Sequence, residues 1–252
     1  MVYLFMYLPI MVVVAFSFND AKRSLVWQGF TLKWYQELLH NVSLWQVAWH
    51  SVILGALAAT TAAVIGTLIA VSLFRYRFIG RRVIRNSSMV LILVPEIVMA
   101  VSLLSLYNFF GISLGFVTLF IAHVVLCMPF VVTVVYSRIT TLDRLVFEAA
   151  KDLGATDLII FTKITIPLLW PAIISGWLLS FTLSLDDVII SYFVSGPSFD
   201  ILPLKIYSMV RLGVKPEVNA LCTLMLMVTL VAVIVSYRNS FKKNEGLEKT
   251  SK

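Results

Sequence analysis

Residues 46–74 read QVAWHSVILGALAATTAAVIGTLIAVSLF and contain no Asp, Glu, Lys or Arg. A run of this kind exceeds the roughly 20 apolar residues that a helix needs to cross a bilayer. Five more apolar runs flank it along the chain, at 1–18, 86–110, 116–136, 168–194 and 217–237. The pattern predicts an all-α, polytopic membrane protein with six transmembrane helices.

The composition supports the same class. Hydrophobic residues make up 60% of the 252 residues and charged residues 13%, where soluble domains carry about 25% charged residues. The mean hydropathy is +0.95. This balance excludes a soluble globular protein and leaves no room for a sizeable soluble domain. We therefore expect one transmembrane domain over 1–237, followed by a cytoplasmic tail at 238–252.

The basic residues indicate the orientation. If both termini are cytoplasmic, the inside segments hold 14 of the 20 Lys and Arg residues, and the opposite orientation inverts this ratio. We expect both ends in the cytoplasm. The net charge of +7 then follows from membrane topology, so lipid is expected as a partner and nucleic acid is not.

Motifs for bond chemistry or metal binding are missing from the sequence. Cys127 and Cys222 lie in apolar runs without CxxC spacing, and the three histidines are scattered. There is no GxxxxGK[ST] phosphate loop, GxSxG elbow or HExxH pair. We expect a non-catalytic subunit with no metal and no cofactor of its own, so a partner must supply the energy for any powered work.

The loop at about 137–167 has the pattern of an amphipathic helix. Its apolar residues recur at helical spacing, at Leu142, Leu145, Val146, Ala149, Ala150 and Leu153. Asp143 or Thr141 can cap the start of this helix, and Gly154 can end it. A second short helix is predicted from Thr156 or Asp157 to just before Pro167. Phe147 falls on the opposite, charged face, where we expect it to be exposed and to act as a docking anchor.

Three acids lie inside apolar runs. Glu96 is near the middle of the third run, and Asp186 and Asp187 are in the fifth; each costs about 2.5–3.5 kcal/mol at a helix centre. No intramembrane Lys or Arg pairs with them, which favours a pathway for a cation carrying several amines. The alternative for any single acid is a structural bond to a neighbouring helix.

Helical phase adds polar neighbours to these acids. Ser180, Ser184, Asp187 and Ser191 form one stripe, which should face a cavity or partner, and Thr182 shares a face with Asp186. Tyr192 is a candidate for stacking on amines. The predicted substrate path comprises Glu96, Asp186, Asp187, Ser184, Ser191 and Tyr192.

The amino-acid sequence of the loop at about 137–167 resembles a known motif. Glu148-Ala149-Ala150, Gly154, Ile164 and Pro167 are similar to the EAA loop of bacterial ABC importer permeases. The resemblance implies that this loop docks into a cleft of a partner ATPase, which binds ATP and Mg. It also implies that Glu148, Ala149, Ala150 and Gly154 are coupling residues.

A closer resemblance covers most of the chain. The segments at 94–100, 181–187, 195–197, 202–209 and 216–220 are similar to the C-type membrane subunit of spermidine/putrescine importers. That family implies an inner-membrane location, a homologous B-type permease, a dimer of ATPase subunits and an extracytoplasmic polyamine-binding protein. Glu96 stands where aspartate is expected, which leaves the preference between spermidine and putrescine open.

Three alternatives remain at this point. The chain could be an importer permease for another small solute, although an anionic substrate predicts cavity arginines, which are absent. It could be a proton-coupled secondary transporter, although no inverted repeat is detectable. It could also be a membrane enzyme that uses Asp186 and Asp187 as a pair, but adjacent helical residues point about 100° apart.

Overall fold

The computed structural model describes residues 2–21, 26–197, 199–213 and 216–227. Within these ranges the secondary structure is helical apart from an isolated bridge between Asn19 and Phe30, so the all-α class is confirmed. The helices are α1 (Val2–Phe16), α2 (Lys33–His40), α3 (Val42–Arg75), α4 (Arg81–Leu93), α5 (Glu96–Phe109), α6 (Phe116–Thr140), α7 (Arg144–Asp152), α8 (Asp157–Ile159), a π-helical segment (Ile160–Thr165), α9 (Ile166–Asp186), α10 (Ile189–Val194), α11 (Leu202–Arg211) and α12 (Pro216–Met227).

The chain divides into two compact units. One contains residues 46–204, and the other combines residues 1–45 with those from 205 onward. The prediction of a single domain over 1–237 is not tested by this division. The predicted tail at 238–252, and the end of the sixth apolar run beyond residue 227, lie outside the described residues.

The described helices differ in whether they can cross a membrane. Three are long and apolar enough, namely Val42–Arg75, Phe116–Thr140 and the continuous helix Asp157–Asp186, and a fourth span results if α4 and α5 count as one. Apolar helices at Phe5–Phe16 and Pro216–Met227 match the first and last predicted runs but are shorter. The count of six spans therefore stays a prediction.

The smaller unit is organised around one asparagine. Asn19 is buried and accepts a hydrogen bond from the backbone N–H of Gln28 at 2.8 Å, while its amide donates to the carbonyl of Val26 at 2.8 Å. The indole of Trp34 donates to the Asn19 carbonyl at 2.8 Å. These bonds fix the loop that leads from α1 to α2.

The core of the larger unit is the contact of α6 with α3 and α9. Val131 of α6 lies between two glycines, Gly66 on α3 and Gly176 on α9. A Cβ atom added at Gly66 would come within 2.8 Å of the Val131 Cβ, whereas one at Gly176 would lie 3.4 Å from the nearest Val131 methyl group. The approach of α3 to α6 is this close because Gly66 has no side chain, whereas the contact at Gly176 leaves room for a methyl group.

A second buried cluster joins α5, α6 and α10. Tyr107, Leu119, Ile190 and Val194 are among its buried members. The short helix α10 is therefore held on two sides by apolar contact.

The third predicted span is not a straight helix. It breaks between α4 and α5, whose axes differ by 114°. Pro95 causes the break, because it has no N–H to donate and it forces Val94 into an extended conformation, with φ −68° and ψ 129°. Glu96, expected near the middle of this span, lies just after the break, in the first turn of α5, and is exposed, a position favoured by the helix dipole.

The expectation that a short helix ends before Pro167 is also wrong. Thr156 caps the start, with its hydroxyl oxygen 3.4 Å from the N–H of Ile159, but the helix then continues through the π-helical segment into α9. Pro167 directly follows the π-helical segment, where the regular i→i−4 hydrogen-bond pairing is already interrupted. The hydroxyl of Thr165 donates to the Ile160 carbonyl at 3.1 Å, which supplies one more bond there.

The two glycines that face Val131 give a matched test of this packing. Gly66→Ala should destabilise the protein by about 1–3 kcal/mol, because the new methyl group overlaps the β-branched side chain. Gly176→Ala should be tolerated, since its methyl group reaches only ordinary contact distance. The midpoint of thermal unfolding in detergent measures both; equal midpoints would contradict the packing described.

Candidate functional site

The fifth predicted span breaks at Asp187, between α9 and α10. Its backbone is extended, with φ −68° and ψ 122°, and its side chain is buried. The carboxylate accepts the backbone N–H groups of Ile190 at 3.1 Å and Ser191 at 2.8 Å. It therefore satisfies two donors that the first turn of a helix leaves without an intrahelical partner.

His123 of α6 joins both helices across this break. Its Nδ1 lies 2.6 Å from the hydroxyl of Ser184, at the end of α9, and its Nε2 lies 3.0 Å from that of Ser191 on α10. The Nε2 atom is also 3.5 Å from a carboxylate oxygen of Asp187. All four side chains are buried.

The donors and acceptors of this cluster can all be matched. The Ser191 hydroxyl donates to Asp187 at 2.7 Å, so its oxygen is left to accept from Nε2–H of His123. The other ring nitrogen accepts the hydroxyl of Ser184 when the imidazole is neutral and donates to it when the imidazole is protonated. The cluster is thus a continuous chain of hydrogen bonds from α9 through α6 to α10.

The far end of α10 is fixed as well. The hydroxyl of Thr118 donates to the Val194 carbonyl at 2.9 Å, and Tyr107 donates to the Thr118 carbonyl at 2.9 Å. Gly196 follows with φ +68°, and a Cβ atom there would lie 2.5 Å from the Leu114 carbonyl oxygen. Polar contacts to α6 therefore define both ends of the short helix.

This arrangement changes the interpretation of the polar stripe. The stripe of Ser180, Ser184, Asp187 and Ser191 was expected to face a cavity or a partner; all four are buried, and the last three contact His123 of α6. The structural alternative describes the contacts of Asp187, and its role in the substrate path stays a prediction. The sequence did not identify His123 as a site residue, because the three histidines are scattered. Its position inside an apolar run is the signal that could have suggested a contact with the acids of the fifth run.

The other predicted path residues are exposed. Asp186 and Thr182 are exposed on one face of α9, as their shared phase predicts, and the Thr182 hydroxyl bonds back to the Leu178 carbonyl at 3.0 Å. Glu96 and Tyr192 are exposed on other elements. The path residues thus form a buried set around His123 and an exposed set that includes Asp186.

The loop at 137–167 has the predicted helix caps. The Asp143 carboxylate accepts the N–H of Leu145 at 2.9 Å and begins α7. Gly154 ends the helix with φ +81°, a left-handed conformation that favours glycine. Within the EAA motif, Glu148 and Ala149 are exposed and Ala150 is buried.

The position of Phe147 differs from the one expected. Phe147 is half-buried, and its ring meets that of Phe74 edge-on with 6.0 Å between centroids. Arg144 is exposed, and its guanidinium lies 5.3 Å from the centroid of Phe74. Apolar side chains of the predicted stripe are exposed beside the charged ones, with Leu153 at 90% and Leu145 at 65% of their full accessibility, while Ala150 is buried. The expectation of an exposed Phe147 is therefore wrong, because its ring packs on α3, and its role as a docking anchor stays a prediction.

An ion pair connects the loop to the end of α3. Arg75 donates to the carboxylate of Asp157, and Lys151 approaches the same carboxylate at 3.9 Å. These contacts place the start of α8 beside both α3 and α7. Among the described residues, no group of three or more His, Cys, Asp or Glu side chains is arranged to hold a metal ion.

The buried cluster makes a stability prediction. His123→Ala removes the partner of Ser184 and one partner of Ser191, so we expect a loss of about 1–3 kcal/mol. His50→Ala is the control, because His50 stacks on Phe199 at 4.5 Å and is not fully buried. Thermal unfolding in detergent separates the two; a smaller effect at His123 than at His50 would contradict the assignment.

Known proteins resemble the chain over most of its length. The family model described as "Binding-protein-dependent transport system inner membrane component" matches residues 62–244. The spermidine/putrescine transport system permease protein PotC of Escherichia coli K12 is 50% identical, covering 97% of this chain and 93% of that protein. The putrescine transport system permease protein PotI of the same organism is 44% identical, covering 88% and 82% respectively.

Solved structures share the fold. A chain of a bacterial ABC transporter involved in the import of the acidic polysaccharide alginate aligns with a TM-score of 0.71 at 17% identity, covering 94% of this chain and 91% of that one. An inward-facing MetNI methionine ABC transporter aligns at 0.63 with 20% identity, covering 77% and 92%. Because the family model matches well over half of the sequence, the chain belongs to the binding-protein-dependent transport system inner membrane components.

Proposed function

We propose that the chain is the translocation subunit of an ATP-driven polyamine importer in the bacterial inner membrane. The near full-length similarity to permeases named for spermidine and putrescine carries this proposal. Its partners are a homologous B-type permease, a dimer of ATPase subunits that bind ATP and Mg, and an extracytoplasmic polyamine-binding protein. The chain itself performs no bond chemistry, and both of its termini lie in the cytoplasm.

The exposed face of α9 is the proposed substrate contact. Asp186 is exposed there, one turn from Thr182, and a carboxylate attracts an ammonium group strongly where water is partly excluded. Asp187 and the serines around His123 set the direction of α9 and α10. In this scheme Glu96 and Tyr192 add a second charge and an aromatic ring that can stack on amines.

The exposed side of α7 and α8 is the proposed ATPase contact. Its exposed apolar side chains are Leu145, Val146, Leu153, Leu158 and Ile159. Exposed apolar surface of this kind, where it is contiguous, marks an interaction site. Glu148, Ala149 and Gly154 lie within the same segment and provide the coupling contacts. Phe147 holds α7 against α3, through its contact with Phe74.

The substrate assignment is tested by uptake. In cells lacking other polyamine importers, with all partner subunits supplied, Asp186→Asn should lower the uptake efficiency for labelled spermidine and putrescine about tenfold, or about 1.4 kcal/mol. Asp186→Glu should retain most of the activity because the charge remains. Asp20→Asn, at an exposed acid outside the proposed path, is the control. Transport of neither amine by the intact system would overturn the polyamine assignment.

The docking surface is tested by co-purification. Leu153→Ser should weaken retention of the ATPase subunits about tenfold, because burial of a leucine side chain contributes about 1.5–3 kcal/mol. Ile112→Ser changes an exposed apolar residue in the turn between α5 and α6 and should have no effect. If Phe147→Ala abolished retention while Leu153→Ser did not, Phe147 would be the anchor and the proposed surface would be wrong.

A further inference from the structure

The turn between α3 and α4 concentrates positive charge around an apolar tip. Ile79 is fully exposed, and Tyr76 and Phe78 are exposed beside it. One open concavity is lined by Phe78, Ile79 and Gly80 and by four arginines, Arg77, Arg81, Arg82 and Arg85. From residue 76 to Pro95 the sequence contains no acidic residue.

These arginines differ from Arg75, which precedes them. Arg75 is paired with Asp157. In the part of the chain that the structure describes, no carboxylate lies within ion-pair distance of the other four. Four neighbouring guanidinium groups repel one another, and an external anion relieves that repulsion. Arginine suits a phosphate group in particular, because its planar fork can donate two parallel hydrogen bonds.

The exposed apolar side chains beside the arginines indicate what kind of anion binds there. A soluble anion needs no exposed isoleucine or aromatic ring beside it, whereas the boundary between headgroups and acyl chains offers a place for both kinds of side chain. The 34 residues of α3 span about 51 Å, well beyond the roughly 30 Å of hydrocarbon. An end of this helix therefore reaches the headgroup level.

The next helix, α4, carries further exposed apolar side chains. Val83 and Val90 are exposed along it, and Leu93 is 81% exposed near its end. An apolar surface beside a cluster of arginines is the arrangement that favours the surface of an anionic membrane. We propose that residues 76–85 bind the phosphodiester headgroup of an anionic phospholipid. This site does not depend on which solute the permease carries.

The test uses the full chain assembled with its partner subunits, in phosphatidylcholine nanodiscs with or without phosphatidylglycerol. Native mass spectrometry measures the phosphatidylglycerol that each complex retains. Arg81→Gln combined with Arg82→Gln should weaken retention about 25-fold, from roughly fivefold for each basic residue near the surface. Arg138→Gln, at an exposed arginine of α6 outside the concavity, is the control for charge alone and should weaken retention less than Arg81→Gln does.

A second variant preserves every charge of the turn. Ile79→Ser should weaken phosphatidylglycerol retention about fivefold, because it removes the apolar contact. Unchanged retention in both variants would overturn the proposal. Displacement of the lipid by inorganic phosphate, at constant ionic strength, would indicate a soluble anion and also overturn it. Loss of the ATPase subunits with lipid retention unchanged would assign the turn to a protein partner instead.

Discussion

An apolar environment leaves no backbone polar group without a partner, and this constraint governs the two helix breaks in the larger unit. At Pro95 the chain turns where a backbone donor is already missing. At Asp187 the chain turns because a carboxylate takes over two backbone N–H groups of the next helix. His123 and two serines then satisfy the cluster from the side of α6. The start of α10 therefore depends on this carboxylate, while Thr118 and the second buried cluster hold its far end.

The two adjacent aspartates have opposite environments for a geometric reason. Successive residues on a helix point about 100° apart, so only one of them can face α6. Asp187 is 5% exposed and lies against His123, while Asp186 is exposed. The two acids look equivalent in sequence but differ in the structure. Asp187 binds the first turn of α10, and Asp186 is left exposed.

The apolar runs and the caps of α7 could be predicted because they depend on residues close together in sequence. Hydropathy located the long helices, and Asp143 and Gly154 marked the ends of α7. The position of Phe147 could not be predicted, because it is placed by Phe74, a residue far away in sequence. His123 was missed for the same reason, since its partners come from the fifth apolar run. The helix end predicted before Pro167 was wrong, because a π-helical segment precedes this proline and the helix continues through it.

The uninterrupted helix from Asp157 to Asp186 has a mechanical consequence. Its 30 residues extend over about 45 Å, with the loop that precedes Asp157 at one end and the exposed acid at the other. The contact of Gly176 with Val131 lies about two-thirds of the way along it. If the helix tilted as one body about that contact, the Asp186 end would move about half as far as the Asp157 end. A wide displacement at the loop would then reach the acid as a short one.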